Sequence, residues 1–263
     1  MHAFVDWNTQ IPSIKPAPEA VPVGLDGPVG TFTLLQPMPP PPVCAPVQDL
    51  VIALTPALFT NLRTRCKSKG ITLNGPLLTA FGFAIADTIR LQQPSLDVKS
   101  GLTVGGLVAV DARGDLVPPL PKNYISGAAG LMPCSVASAN FLVDFWATAA
   151  TVTSAITMSV AARQHFRLPD MLAREAYGEL GPFFANVSFI WSNIGHLECP
   201  GISEVEFHLS GQGTNPIISG HCVEVDQILS LTITYSPVFH AQQDMQYIAQ
   251  RFAEHLKNGC LGE

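Results

Sequence analysis

The sequence predicts a layered α/β (α+β) sandwich, a mixed β-sheet flanked by helices, and three observations carry that reading. Strand-like and helix-like segments are mixed and grouped along the chain rather than strictly alternating. The C-terminal part is mostly β, with strand signals at short spacing closed by an amphipathic helix. The chain is also long enough, at 263 residues, and apolar enough, at 47% hydrophobic, to bury a sizeable core. Only 13% of residues are charged, against about a quarter in an average soluble protein.

The elements follow in order. Between Gln10 and Pro46 lie eleven of the 23 prolines, including the run Pro39 to Pro42. Proline fixes φ and removes a donor, so helix and central strand are both excluded, and 10–47 reads as a Pro-rich crossover linker. The lobe proper spans 48–263. It opens with a short apolar strand, Leu50 to Leu54. Thr55 then caps a helix with Pro56 at its first position, running to Lys69 and stopped by Gly70. Arg63, Arg65, Lys67 and Lys69 gather near its C-terminal end; the helix dipole and a solvated face account for them, with phosphate contact as the alternative.

A second helix over Gly75 to Leu91 is apolar on most faces and therefore buried. Leu102 to Val110 is a strand whose glycines mark close packing. A loop over Gly114 to Asn123 and a strand over Tyr124 to Val136 come next, then helices at about Asn140 to His165 and Pro169 to Tyr177. Within the first of these, Phe141 to Ala162 is the one stretch resembling a membrane span. Asp144 and six Ser or Thr residues argue for a buried helix instead. The remaining strands are Ala185 to Trp191 (running into Ser192-Asn193-Ile194-Gly195), Val205 to Leu209, Pro216 to Val225 and Ile228 to Tyr235. A helix over Ala241 to Lys257 ends before Gly259.

Composition excludes some functions. A net charge of −6 with no basic patch for a phosphate backbone argues against nucleic acid. Six scattered cysteines form no C-x-x-C and follow no secretory signal, so they read as reduced thiols in a cytoplasmic protein. His221-Cys222 with His208 does not complete a zinc site, and no metal is expected.

The candidate chemistry begins at the amino end, where His2 and Asp6 form an H-x-x-x-D arrangement. A neutral imidazole accepts a proton near pH 7, and a nearby acid can hold the loop in shape without touching substrate. Several segments together then resemble the CoA-dependent acyltransferases with the chloramphenicol acetyltransferase fold. That superfamily includes fungal alcohol acetyltransferases, BAHD acyltransferases and peptide-synthetase condensation domains. Of its H-H-x-x-x-D-G hallmark, Met1 stands at the first His, His2 at the catalytic His, Asp6 at the Asp and Trp7 at the Gly. Val110-Asp111-Ala112-Arg113 with Val117 to Tyr124 resembles the V-D-x-R … P-P-L-P-x-x-Y stretch, and Ser192-Asn193-Ile194-Gly195 resembles S-N-L-G. The D-F-G-W-G box of plant members is absent, which points to the fungal branch.

The resemblance implies the C-terminal half of a two-lobed enzyme, beginning inside the motif, with 1–9 as what remains of the catalytic segment. The absent N-terminal lobe would leave an apolar interface exposed, to be covered by a second chain or second copy. His2 is then the general base and Asp6 turns away to pair with Arg113. Ser192 and Asn193 line the acceptor side or donate to the oxyanion. Acyl-CoA is the co-substrate, a small alcohol or amine the acceptor, and no cofactor is bound. Two alternatives stand: an inactive half-fold acting as an interaction module, and a condensation-type enzyme using carrier-protein thioesters.

Overall fold

A computed structural model describes residues 46–94, 101–115, 129–138, 145–168, 187–198, 200–202, 205–207 and 217–261. The H-x-x-x-D segment, nearly all of the linker and the expected helix over 169–177 lie outside these residues. Among the described residues six strands and four helices make the layered α/β fold expected: β1 (Gln48–Leu54), α1 (Pro56–Lys69), α2 (Asn74–Gln92), β2 (Leu102–Asp111), β3 (Ala129–Ser138), α3 (Phe145–Ala161), β4 (Phe189–His196), β5 (Ile218–Val225), β6 (Ile228–Tyr235) and α4 (Gln242–Leu261).

The sheet order is β1-β6-β5-β4-β2-β3. The inner strands β2, β4 and β5 run parallel, while β1 and β6, β5 and β6, and β2 and β3 pair antiparallel. The sheet is therefore mixed. Pro133 falls in the edge strand β3, opposite Leu107, where a missing donor can be tolerated.

Local chemistry sets α1 closely. The Leu58 N–H donates to Thr55 Oγ1 at 3.3 Å, and Gly70 takes the left-handed φ of 65° that ends the helix. Its apolar positions Phe59, Leu62 and Cys66 face the sheet. All four helices pack on one face of the sheet through a single core. Phe81 of α2 sits at its centre, with ring centroids 5.3 Å from Phe189, 5.5 Å from Trp191 and 5.9 Å from Phe252. Each fully buried side chain of this kind contributes roughly 1.5–3 kcal/mol.

The strand read up to Trp191 continues through Ser192 to Gly195 inside β4, where a register shift between Asn193 and Gly195 absorbs the irregular backbone. Three expectations need correction. Val205 to Phe207 is not a strand. Helix α3 is not buried all round: Ala147, Thr151, Ser154 and Met158 face outward while Trp146, Ala149 and Val152 face the core. Helix α4 runs past Gly259 to Leu261; that glycine does not end the helix but makes room for the Phe145 ring, from which an added Cβ would stand 2.6 Å.

Candidate functional site

The site grows out of strand register. Parallel pairing sets Ser192 of β4 beside His221 of β5, and antiparallel pairing sets His221 beside Thr232 of β6. One step along, Ser219 stands beside Thr234, whose other neighbour is Asp49 of β1. Such neighbours share a face with Cβ atoms about 5 Å apart. Alternation puts this strip on the face away from the helices, since Gly220 between Ser219 and His221 faces Phe81 and Trp191.

Ser219, His221, Ser230, Thr232 and Thr234 are all buried, between 0% and 3% exposed. A central strand covered on both faces ordinarily reads as continuous apolar residues, so a hydroxyl strip with an imidazole in it marks a different purpose. The Thr234 hydroxyl donates to Asp49 Oδ1 at 2.5 Å, and the Phe207 ring stands 5.2 Å from the His221 ring. Among the described residues the fully buried Ser219 hydroxyl has no hydrogen-bond partner, which costs about 1–3 kcal/mol.

The structure separates Ser192 from Asn193. Ser192 joins the strip, whereas the Asn193 amide turns to the helix side and donates to Asn74 Oδ1 at 2.9 Å; its own Oδ1 accepts the Gly195 N–H at 2.9 Å. Trp191 Nε1 donates to the same Asn74 oxygen at 3.3 Å. Asn193 thus shapes the bulge and ties β4 to the start of α2, which fixes where Ser192 points.

Arg113 follows β2 in a 3₁₀ turn, Arg113–Asp115. Its guanidinium forks onto Asp111, with Nε to Oδ1 at 2.8 Å and Nη2 to Oδ2 at 2.6 Å. The other end of the turn is clamped by His165 Nε2, 3.1 Å from Asp115 Oδ2. The imidazole is fully buried. Burial lowers its pKa, and the hydrogen bond to Asp115 with that carboxylate's charge offsets this only in part, so the neutral Nε2–H tautomer donates to the carboxylate. His2 and Asp6 fall outside the described residues.

Thiol chemistry is disfavoured here. Burial pushes Cys66 up to about 11, with Cys260 nearby adding to it, and Cys134 up to about 12; Cys222 is raised further by burial. These thiols stay protonated at neutral pH and are poor nucleophiles. Among the described residues no group of three or more His, Cys, Asp or Glu is arranged to hold a metal, and none of the helices is long and apolar enough to cross a membrane.

Sequence reading had found Ser192 but not the strip around it. The signal was present in β6, where Ser230, Thr232 and Thr234 alternate with Leu231 and Ile233. That pattern ordinarily means a water-facing side, and only pairing with β5 shows those hydroxyls buried.

Solved acyltransferases and condensation domains share this fold. The TRI3 trichothecene 15-O-acetyltransferase of Fusarium sporotrichioides has the same fold at a TM-score of 0.63 and 11% identity, over 84% of this chain and 48% of that one. The PapA2 acyl transferase does so at 0.59 and 14%, over 86% and 48%. The condensation domain of the enacyloxin polyketide synthase does so at 0.58 and 12%, over 87% and 42%. The chain thus spans a little under half the length of these proteins. The sequence itself matches no protein-family profile and no curated relative.

Proposed function

We propose that this chain is the acceptor-side lobe of an acyltransferase that moves an acyl group from a CoA thioester to a hydroxyl or amine. The observation that carries the reading is the buried hydroxyl strip beside Ser192, on the face of the sheet opposite the four described helices, in a fold shared with acyltransferases. His2 acts as general base on the acceptor X–H within hydrogen-bond reach. The resulting nucleophile attacks the thioester carbonyl, and Ser192 donates to the oxyanion. Collapse breaks the C–S bond, and the CoA thiolate takes the proton back from His2. Asp6 pairs with Arg113, whose turn is already braced by Asp111 and by the Asp115–His165 contact, so the base is held without strain on the substrate. The opposite wall of the cleft comes from a second chain or a second copy packed against Ser192, the half-buried end of the strip.

The test is release of CoA thiol from acetyl-CoA with a panel of alcohols and amines. Turnover is expected with at least one acceptor and a loss of about a hundredfold or more in His2→Ala, the usual weight of a general base. An inert, stable monomer would instead favour the non-catalytic half-fold. The condensation-type reading is supported by a fold likeness nearly as close as that to the acyltransferases, and it predicts turnover with a carrier-protein thioester but not with acetyl-CoA.

A further inference from the structure

The two edges of the sheet are built differently. β3 carries Pro133, which has no N–H to offer a neighbouring strand. β1 reads Gln-Asp-Leu-Val-Ile-Ala-Leu, with no proline, no lysine or arginine, and no shift in its register with β6 from Gln48 to Leu54. Prolines, lysines and bulges are what ordinarily keeps an exposed edge from pairing. The one charge on β1, Asp49, accepts from the Thr234 hydroxyl inside the sheet at 2.5 Å. Among the described residues no strand lies beyond β1.

Neither face of β1 is fully covered. Leu50 and Ile52 pack half-buried at the rim of the core. Asp49, Val51 and Ala53 take the other face and are exposed, Val51 at 42%. An aliphatic run on an outer edge suits the addition of one more strand, held by main-chain hydrogen bonds.

The strand is also its own complement. With two copies antiparallel about an axis through Val51, Leu50 meets Ile52, Asp49 meets Ala53 and Gln48 meets Leu54. No like charges then stand opposite, and each half-buried Leu50 and Ile52 gains an apolar neighbour. The axis can pass through Val51 whichever set of amides points outward, and moving it by one residue shortens the ladder. The segment preceding β1 is a poor rival, because eleven prolines fall between Gln10 and Pro46 and each lacks a ladder donor.

We propose that β1 docks β1 of a second copy of this chain, antiparallel about Val51, so that one sheet runs through both copies. This contact is separate from any cover over Ser192, since β6 and β5 stand between β1 and β4, and it does not rest on the acyl-transfer reading. Seven residues give about 24 Å of ladder. One strand pair of that length falls short of the roughly 1,200 Å² at which stable complexes begin, so the dimer is weak and depends on concentration.

Sedimentation velocity of the full chain from about 1 to about 300 μM should show monomer passing to dimer, with a Kd between about 10 and about 100 μM. Val51→Lys sets two ammonium groups against each other at the axis and should raise that Kd about tenfold or more. Met158→Lys, an exposed change on α3, is the control and should leave it within twofold. Register is read by cross-linking with oxidised glutathione. Val51→Cys should give a disulfide-linked dimer beyond the level of the unmodified chain, whereas Ala53→Cys should not, because the two copies of residue 53 stand about 14 Å apart along the strands. A chain that stays monomeric at the highest concentration overturns the proposal. A dimer that Val51→Lys leaves intact removes β1 from the interface, and equal cross-linking at 51 and 53 overturns the pairing about Val51.

Discussion

Two clusters that each join an aspartate to a histidine and arginine bury opposite members. Between α2 and α4, Asp87 is the buried member at 8% exposure. It accepts from Arg251 Nε at 2.9 Å and from His255 Nε2 at 2.8 Å, with Arg90 at 3.5 Å. Beside β2 the roles reverse: His165 is fully buried and its carboxylate partner Asp115 is 36% exposed, with Arg163 a distant 3.9 Å away. The first cluster surrounds a buried charge with donors. The second buries a neutral ring and leaves its Nδ1 without a hydrogen-bond partner. The first is helix-to-helix attachment, and the second braces the turn that carries Arg113.

The contrast can be broken most heavily at Asp87. Asp87→Ala leaves two or three cations facing each other in a half-buried site, and about 3 kcal/mol of stability should be lost on urea unfolding. Gly130→Ala should come next, at about 1–3 kcal/mol, because an added Cβ would stand 2.1 Å from the His165 carbonyl oxygen. The two variants separate by amide exchange: the Asp115 N–H, bonded to the Ala112 carbonyl at 3.0 Å, should exchange faster in Gly130→Ala and be unchanged in Asp87→Ala.

Acid sharpens the comparison with a smaller effect. Burial alone would raise the Asp87 carboxyl, but hydrogen bonds and charge from His255 and Arg251 hold it below its ordinary 3.8. Its stabilisation is therefore intact above that value and lost only as pH falls below it. Burial holds His165 below its ordinary 6.5, so the unfolded chain takes up the proton first. Stability should decline as pH drops from 6.5, by at most about 1.4 kcal/mol per unit, and His165→Gln should remove that slope. Smallest of all is the Arg163–Asp115 ion pair itself: at 3.9 Å between partly exposed groups, a double-mutant cycle should give it a coupling of a few tenths of a kcal/mol, roughly the limit of measurement.

What the sequence disclosed was local. Thr55, Pro56 and Gly70 mark both ends of α1 through interactions within a few residues, and β6 was legible because its apolar run and its bounds coincide. The Ser192-Asn193-Ile194-Gly195 segment was legible as a motif but not as strand, because asparagine and glycine favour turns in isolation, whereas pairing with β5 and the hydrogen bonds to Asn74 keep it in the sheet. The candidate site was legible only at Ser192. Its neighbours His221 and Thr232 come from later strands, and the brace on Arg113 comes from a histidine fifty residues beyond Asp115. No local pattern encodes such meetings.

The sheet also closes on itself in time. Its first strand has one partner, β6, and the Asp49 to Thr234 contact joins residues 185 apart. Such long-range pairing folds slowly, and while the chain is being made β1 must wait as an open edge until nearly everything else has been synthesised. A ribosome paused before Ile228 would therefore hold a sheet lacking two strands, with a row of unpaired amides facing any other chain nearby.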